Sequence, residues 1–526
     1  MNRRALIKNI TVLPFVTGGI DAFCNEGIPC SLQTGNKHLN EGYNNIYETL
    51  GVKTVINGRG TVTIIGASRM LPEVELAMKA ATRNYVQIDE LMDAVAVKLA
   101  ALTGAEWGIV TTGATGALTV AAAGIVTGGD PDKLWKLPDL NGMKNEVIIP
   151  AYSWTAYESA VRGVGVKMIE VENAVQLKSA INNNTAMVLV LAGNQSEHGA
   201  LSLATISEIV KPYKIPVLVD AAAEGLELPN PHLSNGADLV AYSGGKYLNG
   251  PQCTGLLIGR KDLVKSAWIT SAPHHGFGRG YKVGREEIMG MLSAVEMWWK
   301  RDHAAEKKKW ENRLNFIAAK LNKIQGVLTE IKQPSGRSNP SPDLYVRWDK
   351  NIIPLTGYDV ENLLWEGTPR VAVSGAGSYL PFPPNENPNI LINSSQLEDG
   401  DEKIIADRVY KILSNPPVIH RDIAPANIDI SGNWEMEIKF AATTSKQKIQ
   451  IEQSGNNIKG MQFGSYATRE IFGTINGSNL LLRSSYTKQG VRLNFEFSGV
   501  ASADIMQGTL SMGEYGLSEW KAKKIS

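Results

Sequence analysis

The chain has 526 residues, is 43% hydrophobic and 20% charged, and carries a formal net charge of +1. Its length suits several domains, and its composition is that of an ordinary globular protein. A near-zero net charge creates no overall field that attracts nucleic acid, so we expect no nucleic-acid partner. Three cysteines are too few for a disulfide framework. No apolar run approaches the roughly 18 residues of a membrane span, and we expect none.

The N-terminus predicts an export signal. Arg3 and Arg4 stand in a twin-arginine-like start, and a modest apolar stretch, Ile10 to Ile20, follows. We therefore predict a signal over residues 1–24 and a periplasmic protein. A cytoplasmic protein with a basic start is the alternative. Residues 25–45 are polar and turn-rich, which predicts an arm or linker.

Alternating strand and helix patterns over residues 46–313 predict a large α/β domain. A short helix, Tyr47 to Val52, leads into a strand at Thr54 to Ile56. Apolar runs, typical of buried strands, then alternate with helical spacing. The predicted strands are Trp107 to Val110, Glu146 to Pro150, Val166 to Val171, Thr185 to Leu191, Ile215 to Asp220, Leu239 to Tyr242 and Gly255 to Gly259. This alternation predicts a doubly wound, mainly parallel sheet, and Lys133 to Asn145 is predicted to be an inserted loop.

Small and hydroxyl residues stand between the first strand of this series and the Ala-rich helix Leu118 to Val126. Thr112, Gly113, Ala114 and Thr115 come directly before that helix. Such residues at a helix N-terminus form a cradle for phosphate.

Two later strands end in residues of complementary chemistry. Asp220 ends a strand and precedes three alanines, where a carboxylate can pair with a pyridinium nitrogen and keep it protonated. Ser243 and two glycines precede Lys246, and desolvation there lowers a lysine pKa and favours a Schiff base. A surface lysine in a glycine-rich hairpin is the alternative. The three features in this chain order predict an enzyme that uses pyridoxal 5'-phosphate (PLP) and has the aspartate-aminotransferase fold.

Polar residues after the strand Thr185 to Leu191 are further candidates. The loop there should face the substrate, so Asn194, Ser196 and His198 are predicted substrate contacts; ordinary polar loop residues are the alternative. His274 and His275 lack an acidic partner set, so we expect no metal.

Three further regions follow. Residues 314–416 read as a small α/β domain, and residues 417–429 as a linker. Residues 430–526 alternate polar and apolar side chains between turns, which predicts an antiparallel β domain, a small barrel or a sandwich.

The lysine stretch SGGKYLNGPQCTGLLIGR, with VLVDAAAE before it and KTVINGRGTVT near the start, resembles the bacterial L-seryl-tRNA(Sec) selenium transferase family. More closely, it resembles the non-tRNA relatives typified by D-glucosaminate-6-phosphate ammonia-lyase. The resemblance runs from about Tyr43 to about Pro416 and implies PLP-dependent transferase fold type I, with the C-terminal β domain as an addition.

The resemblance also implies roles for residues outside the lysine motif. Its N-terminal segment reaches an active site shared between subunits, which makes Arg59 and Arg69 candidates for an anionic substrate group and predicts a homodimer or larger homo-oligomer. An aromatic residue stacks on the cofactor ring, for which Trp154 and then Tyr152 are the candidates. Lys282 would contact the cofactor phosphate, and Arg370 the substrate carboxylate. Ion pairs, packing and solvent exposure are the alternatives.

The activity that the resemblance implies is α,β-elimination from an amino acid or amino sugar acid, as in an ammonia-lyase. Lys246 would hold PLP as an aldimine and act as the base at Cα, and the Thr112–Thr115 loop and Ser243 would bind the phosphate. Selenium transferase-type β-replacement on seryl-tRNA and transamination are the enzymatic alternatives. A non-catalytic scaffold that carries a β binding domain is the alternative of another class.

Overall fold

The structure is a computed structural model that describes residues 46–375, 386–419 and 424–525. The predicted signal (1–24) and arm (25–45) lie outside these residues. Chain contacts divide the protein into residues 1–53 and residues 54–526. In the first unit, a single 3-10 turn (Glu48–Leu50) replaces the longer helix predicted there, because Gly51 adopts a left-handed φ of 71° and ends it.

A seven-stranded sheet forms the centre of the first half of the second unit. The strands up to residue 259 are β1 (Val55–Asn57), β2 (Trp107–Thr111), β3 (Glu146–Pro150), β4 (Lys167–Val171), β5 (Thr185–Leu191), β6 (Val217–Asp220), β7 (Leu239–Ser243) and β8 (Gly255–Gly259). Seven of them form the large sheet in the order β2-β8-β7-β6-β5-β3-β4. β3 to β7 pair in parallel, whereas β8 is antiparallel to both of its neighbours. The prediction of a mainly parallel sheet is confirmed.

Helices cover this sheet and bury it on both faces, as its nearly uninterrupted apolar strands require. In chain order they are α1 (Pro72–Ala81), α2 (Ile88–Thr103), α3 (Gly113–Thr127), α4 (Pro131–Lys136), α5 (Ser159–Arg162), α6 (Ala174–Ala180), α7 (Asn194–His198), α8 (Leu203–Val210), α9 (Pro231–Ser234), α10 (Lys261–Thr270), α11 (Arg285–Trp298) and α12 (His303–Leu321). The Ala-rich α3 is buried along almost its whole length. Its small side chains let it lie close to the strands.

Two of these helices correct the sequence interpretation. The predicted loop at Lys133 to Asn145 begins inside α4, where Asp130 caps the helix and Pro131 starts it. The predicted loop after β5 is the short α7, in which the Ser196 hydroxyl bonds to the backbone of Gly193. Local capping makes helices out of segments whose polar composition is typical of loops.

A second sheet forms around the next part of the chain. Its elements are β9 (Val327–Lys332), β10 (Asp343–Trp348), α13 (Gly357–Glu366), β11 (Arg370–Ala372), β12 (Asn389–Asn393) and α14 (Asp401–Ser414). The three antiparallel strands lie in the order β12-β10-β9, and β11 pairs in parallel with β1. The first strand, which we assigned to the large domain, therefore finds its partner in the smaller α/β region.

The C-terminal region is a closed eight-stranded antiparallel barrel. Its strands follow chain order: β13 (Gly432–Lys439), β14 (Thr444–Ser454), β15 (Asn457–Phe463), β16 (Thr468–Asn476), β17 (Asn479–Lys488), β18 (Val491–Ala501), β19 (Ile505–Ser511) and β20 (Leu517–Ile525). Trp434, Phe497 and Trp520 lie in its apolar core. The predicted antiparallel β domain is confirmed, and closure between β13 and β20 makes it a barrel.

Among the helices that the structure describes, none has both the length and the apolar composition needed to cross a membrane.

Candidate active site

The strands that carry the candidate residues end at one edge of the large sheet. β3, β5, β6 and β7 are parallel, and β2 runs with them because both β2 and β7 are antiparallel to β8. Thr112, Asp220 and Ser243 therefore come together at this edge, which we call the carboxyl edge. In open α/β sheets, ligands bind outside this edge.

Lys246 lies in a tight turn between β7 and β8. The glycines before it are enclosed: an added Cβ on Gly244 would lie 2.2 Å from Thr254 Oγ1, and one on Gly245 would lie 2.6 Å from Gln252 Cα. The backbone N–H of Gly244 donates to the Thr254 carbonyl at 2.8 Å. This packing allows only glycine at both positions and fixes Lys246 at the carboxyl edge.

Lys246 and Asp220 are electrostatically coupled. Burial lowers the pKa of Lys246, and the negative charge of Asp220 opposes that change. Burial also raises the pKa of Asp220, which is only 6% exposed, and the Ala222 backbone N–H opposes the change by donating to its carboxylate at 3.1 Å. A buried carboxylate in this setting is poised to accept a cationic partner.

A second buried pair lies near Asp220. His232 Nε2 is 2.7 Å from Glu224 Oε2, and the two residues are 4% and 1% exposed. The Ser338 hydroxyl donates to the other oxygen of Glu224 at 3.0 Å. The charge of Glu224 adds to the rise in the pKa of Asp220. The pair therefore belongs to the electrostatic surroundings of the carboxyl edge.

The predicted phosphate cradle opens α3. Thr112 is its N-cap residue, and the buried Thr112 Oγ1 has no hydrogen-bond partner among the described residues. Gly113 has a φ of +69°, and an added Cβ on Gly255 would lie 2.3 Å from the Gly113 carbonyl carbon. Ser243 lies opposite Gly255 in the sheet register. Unpaired N–H groups in the first turn complete a site that suits an anion.

The two aromatic candidates have partners in the protein. The Tyr152 hydroxyl donates to the Leu201 carbonyl at 2.8 Å, and burial raises the pKa of Tyr152. The Trp154 indole N–H bonds to the Glu170 carboxylate. These contacts favour the packing alternative, and stacking on a cofactor ring stays a prediction for both residues.

The segment before α1 lies against the Lys246 turn. The Ser68 backbone N–H donates to the Gly245 carbonyl at 3.2 Å, and Asn249 Nδ2 donates to the Arg69 carbonyl at 3.0 Å. The Arg69 side chain, however, is 71% exposed and pairs with Glu398. The structure thus places the backbone of Arg69 beside the lysine turn, and its guanidinium makes the surface ion pair that was the alternative.

The candidates on α7 differ in their exposure. Ser196 is buried, and its hydroxyl bonds to the Gly193 backbone at 2.9 and 3.0 Å. His198 is 72% exposed and lies 3.8 Å from Glu197. Asn194 begins α7 just beyond β5. Its position keeps it a candidate. The contacts of Ser196 favour a local structural role, and its contact with substrate stays a prediction.

The remaining candidates lie in three different settings. Arg59 is half-buried. Burial of Glu361 raises the pKa of that carboxyl group to about 7, and the positive charge of Arg59 opposes this rise. Arg370 Nε donates to the Trp365 carbonyl at 2.9 Å, and its guanidinium carbon lies 4.6 Å from the centre of the Trp365 ring. Lys282 is exposed. The contacts of Arg370 favour a structural arginine, and the roles of Arg59 and Lys282 stay predictions.

Sequence reasoning missed several polar groups of this region. Ser68 is 6% exposed, and its hydroxyl has no partner among the described residues. Asn230 Nδ2 donates to the Tyr242 hydroxyl at 2.7 Å, beneath the end of β7. Of these groups, Glu224 could have been noticed in the sequence, because it is an acidic residue that follows three alanines and lies four residues after Asp220. Within the described ranges, no group of three or more His, Cys, Asp and Glu side chains is arranged to hold a metal ion.

The arrangement fits PLP. The partnerless Thr112 hydroxyl and the first turn of α3 suit its phosphate, Asp220 suits the pyridinium nitrogen, and the desolvated Lys246 amine suits its aldehyde. Each group lies at the carboxyl edge, on elements that packing fixes in place.

Comparison with known proteins supports this assignment. The profile of the family described as Cys/Met metabolism PLP-dependent enzyme matches residues 77–276. That range contains Thr112, Asp220 and Lys246 and ends well before the barrel. PLP is therefore the cofactor.

Individual relatives extend the match. D-glucosaminate-6-phosphate ammonia lyase of Salmonella typhimurium is 33% identical over 336 residues, which cover 61% of this chain and 87% of the relative. 5'-C-glycyluridine monooxygenase-decarboxylase of Streptomyces sp is 31% identical over 56% of this chain and 75% of the relative. L-seryl-tRNA(Sec) selenium transferase of Proteus mirabilis is 26% identical over 47% of this chain and 57% of its own length.

A solved structure of D-glucosaminate-6-phosphate ammonia-lyase matches the fold. Its TM-score is 0.61 at 28% identity, and the match covers 71% of this chain and all of that protein. The fold type I prediction is confirmed, and the non-catalytic scaffold is excluded because the relatives are lyases and transferases. The chain belongs to the family of PLP-dependent enzymes that includes D-glucosaminate-6-phosphate ammonia lyase, and it is an enzyme of the ammonia-lyase and selenium transferase type.

Proposed function

We propose that the protein catalyses α,β-elimination from an amino acid or amino sugar acid and releases ammonia. The observation that carries this proposal is the coupled pair of Lys246 and Asp220 at the carboxyl edge, beside the anion cradle of α3. The relative named as an ammonia lyase, 33% identical over 87% of its length, supports elimination as the outcome.

Lys246 is the proposed base at Cα of the substrate. A free lysine is almost fully protonated at neutral pH. Burial lowers the pKa of Lys246, so more of the amine is neutral and able to accept the α-proton. The two enclosed glycines hold this amine in one place, which lowers the entropic cost of the transfer.

Asp220 is the proposed electrostatic partner of the ring nitrogen. When bound, PLP supplies an electron sink for the charge that develops at Cα. The buried Asp220 carboxylate strengthens that sink because it favours the protonated ring nitrogen. The neighbouring charge of Glu224 acts in the same direction, since it adds negative potential at the same place.

The overall reaction removes the α-proton to Lys246 and the β-substituent with its bonding electrons. Addition of water and loss of ammonia then leave a keto acid. A nucleophile that adds at Cβ before the eliminated product leaves the site, with return of a proton to Cα, gives β-replacement, and transamination requires that no β-substituent leaves. Arg59 and Asn194 are the proposed contacts for the polar or anionic groups of the substrate.

The first test is the absorbance spectrum of the purified protein beside those of Lys246→Ala and the control Lys300→Ala, which removes an exposed lysine. Each is recorded before and after addition of D- and L-amino acids and amino sugar acids, together with assays for ammonia and keto acid. We expect a visible cofactor band in the wild type and in the control that is lost in Lys246→Ala. We also expect at least one compound that shifts the band and releases both products.

The outcomes separate the alternatives. Keto acid without ammonia indicates transamination, and a product that retains nitrogen and gains an added nucleophile indicates β-replacement. Transfer to seryl-tRNA would require tRNA binding by a protein whose net charge is +1. A wild-type band that no compound in the panel shifts would contradict the proposed substrate class.

We further propose that the protein is exported and works as a homo-oligomer with shared active sites. The twin-arginine-like start at Arg3 and Arg4 supports export. Cell fractionation of the wild type and of Arg3→Lys/Arg4→Lys tests it: retention of the variant in the cytoplasm is expected, and equal export contradicts it. For shared sites, mixing Lys246→Ala with Arg59→Ala should restore activity that neither variant has alone.

A further inference from the structure

One end of the C-terminal barrel is closed by the chain that leads into it. Ile430 is fully buried, and its carbonyl accepts a hydrogen bond from Trp434 Nε1 at 2.9 Å. Asn427 N–H donates to the Gly477 carbonyl at 3.3 Å, in the turn between β16 and β17. A ligand could therefore approach the interior from the opposite end, which we call the mouth.

The inward layer at the mouth is polar, unlike the rest of the interior. Gln462 and Ser484 are both fully buried. Gln462 Nε2 donates to Gln447 Oε1 at 2.7 Å, and the Ser484 hydroxyl donates to Gln462 Oε1 at 2.6 Å. Eight-stranded barrels are either filled by side chains or hold one small ligand. A bonded polar chain at this level marks the mouth as a different environment.

Arg469 points into this layer. Arg469 pairs with the buried Gln462 in the sheet register. It also lies two residues before the buried Ile471, so the side chains of Arg469 and Ile471 are on the inward face of the barrel. Its guanidinium carbon lies 4.6 Å from the centre of the Phe495 ring and 5.9 Å from that of Tyr486. These aromatic faces hold the guanidinium in place and leave its edge for hydrogen bonds.

The charge of Arg469 has no carboxylate partner among the described residues. The Nε atom of Arg469 is buried and has no hydrogen-bond partner among the described residues. On the neighbouring strand, by contrast, Arg483 Nε donates to Glu496 at 2.8 Å. Burial lowers the pKa of Arg469, which reflects the cost of holding the charge away from water. Buried polar groups in proteins are normally hydrogen-bonded, so the buried Nε of this half-exposed arginine lacks a partner among the described residues.

We propose that the mouth of the barrel binds a small molecule through a carboxylate or phosphate group held by Arg469. Two N–H groups of one guanidinium match two oxygens of either anion. Phe497 and the other apolar residues fill the interior below, so only the anionic group and its nearest atoms enter. Gly490, at the rim, packs against the Thr155 carbonyl of the large domain, while Arg469 itself stays half-exposed.

The test is calorimetric titration of the full-length, PLP-loaded protein with acetate, inorganic phosphate and the neutral control acetamide. The two anions distinguish a carboxylate ligand from a phosphate ligand. The variants are Arg469→Gln, Arg469→Lys and the control Arg492→Gln, which removes an exposed arginine at the same end of the barrel. We expect saturable binding of at least one anion, no binding of acetamide, and affinity about tenfold weaker or worse in Arg469→Gln.

Other results decide against the proposal. Equal affinity in the wild type and Arg469→Gln would place the anion elsewhere, for example at the carboxyl edge. A lack of saturable binding by both anions would also overturn it. Arg469→Lys, which keeps the charge but not the planar pair of donors, should bind with intermediate affinity, and Arg492→Gln should match the wild type.

A stability measurement separates this role from a structural one. If Arg469 serves a ligand, Arg469→Met should unfold at the same or a higher temperature than the wild type without anion, because the substitution removes an uncompensated charge. The bound anion should then raise the unfolding temperature of the wild type but not of Arg469→Met. A lower unfolding temperature for Arg469→Met, with no anion effect in either protein, would show that the arginine only supports the barrel.

Discussion

The carboxyl edge of the large sheet and the mouth of the barrel both bury charge, and they do so in different ways. At the edge, Lys246 and Asp220 have opposite charges, and each opposes the effect of burial on the other. At the mouth, Arg469 has aromatic faces around it and no carboxylate among the described residues. An arginine cannot lose its proton at accessible pH, so its charge needs a partner.

The difference shows what each region requires from outside. At the carboxyl edge the protein itself supplies both charged groups, Lys246 and Asp220. The cofactor would add a phosphate group for the first turn of α3 and a ring nitrogen for Asp220. At the mouth, Arg469 has no carboxylate partner among the described residues, and under our proposal a ligand supplies that partner. Perturbed ionisable groups of both kinds are candidates for functional sites.

The largest effect is expected from Asp220→Asn, which removes the negative charge at the carboxyl edge. We expect the rate of α-proton exchange of a bound substrate with deuterated water to decrease by about a hundredfold to a thousandfold. The amide cannot stabilise the protonated ring nitrogen as a carboxylate does. NMR measures the exchange rate directly, whichever product forms.

The matched control for this prediction is Asp262→Asn, which removes an exposed carboxylate paired with Arg260. It should exchange the α-proton at the wild-type rate. An unchanged rate in Asp220→Asn, with the cofactor still bound, would show that this carboxylate does not act on the ring.

The next largest effect tests the buried pair near the edge. His232→Ala should lower the free energy of unfolding by about 3 kcal/mol, because Glu224 would stay buried without its imidazole partner. Denaturant unfolding followed by fluorescence measures the change. His275→Ala, which removes an exposed histidine, should have little effect. Equal stability of the two variants would mean that the contact between His232 and Glu224 does not stabilise the fold.

Glu361 is a third buried ionisable group. Unlike Arg469, it can lose its charge, because its carboxylate can bind a proton. Burial raises its pKa to about 7 in the folded protein, from about 4.3 in the unfolded chain. The folded state therefore binds more protons between these pH values, and its stability decreases as pH rises from about 4 to about 7. Glu361→Gln should remove this pH-dependent loss, which the two pKa values set at about 3 kcal/mol between pH 4 and pH 7.

The free energy of unfolding, measured between pH 4 and pH 8, tests this expectation because the interval includes both pKa values. Glu366→Gln, on the exposed side of the same helix, should keep the wild-type pH dependence. If Glu361→Gln and the wild type lose stability in parallel over this range, the carboxyl group titrates normally and is not neutralised by burial.

The smallest expected effect is on the cradle. Thr112→Val keeps the shape of the side chain and removes the buried hydroxyl that lacks a partner among the described residues. Loss of one hydrogen bond to a charged phosphate should raise the dissociation constant of PLP about tenfold. Fluorescence titration of cofactor-free protein measures it, with the exposed Thr487→Val as control. Equal affinities would place the phosphate away from Thr112.

The sequence predicted the parts of the fold that local patterns determine. β5 and β8 have the predicted limits, and Asp220 and Lys246 lie at the carboxyl edge because each follows a short apolar strand and precedes small residues. The strand ends, the glycines and the helix start that form the edge are all local features. The position of the candidate site could therefore be predicted from the sequence.

The rest depends on contacts between distant residues. Pairing of β1 with β11 joins Val55 to Arg370, and nothing in either short strand specifies the other. Closure of the barrel depends likewise on β13 meeting β20. Arg469 stands next to Glu470 in an alternating strand, so the sequence does not show which of the two faces inward. The segment of α7 was predicted to be a loop because its composition is polar, whereas the Ser196 hydroxyl bonds to the backbone of Gly193 and caps a short helix.

The most direct test of the central claim is to locate the covalently held cofactor. Borohydride reduction of the purified protein should fix PLP to one lysine, and mass spectrometry of the peptides identifies it. The account predicts a single labelled peptide that contains Lys246. A label on another lysine, such as the exposed Lys261 at the start of α10, or no label after incubation with PLP, would contradict the assignment of the carboxyl edge as the active site.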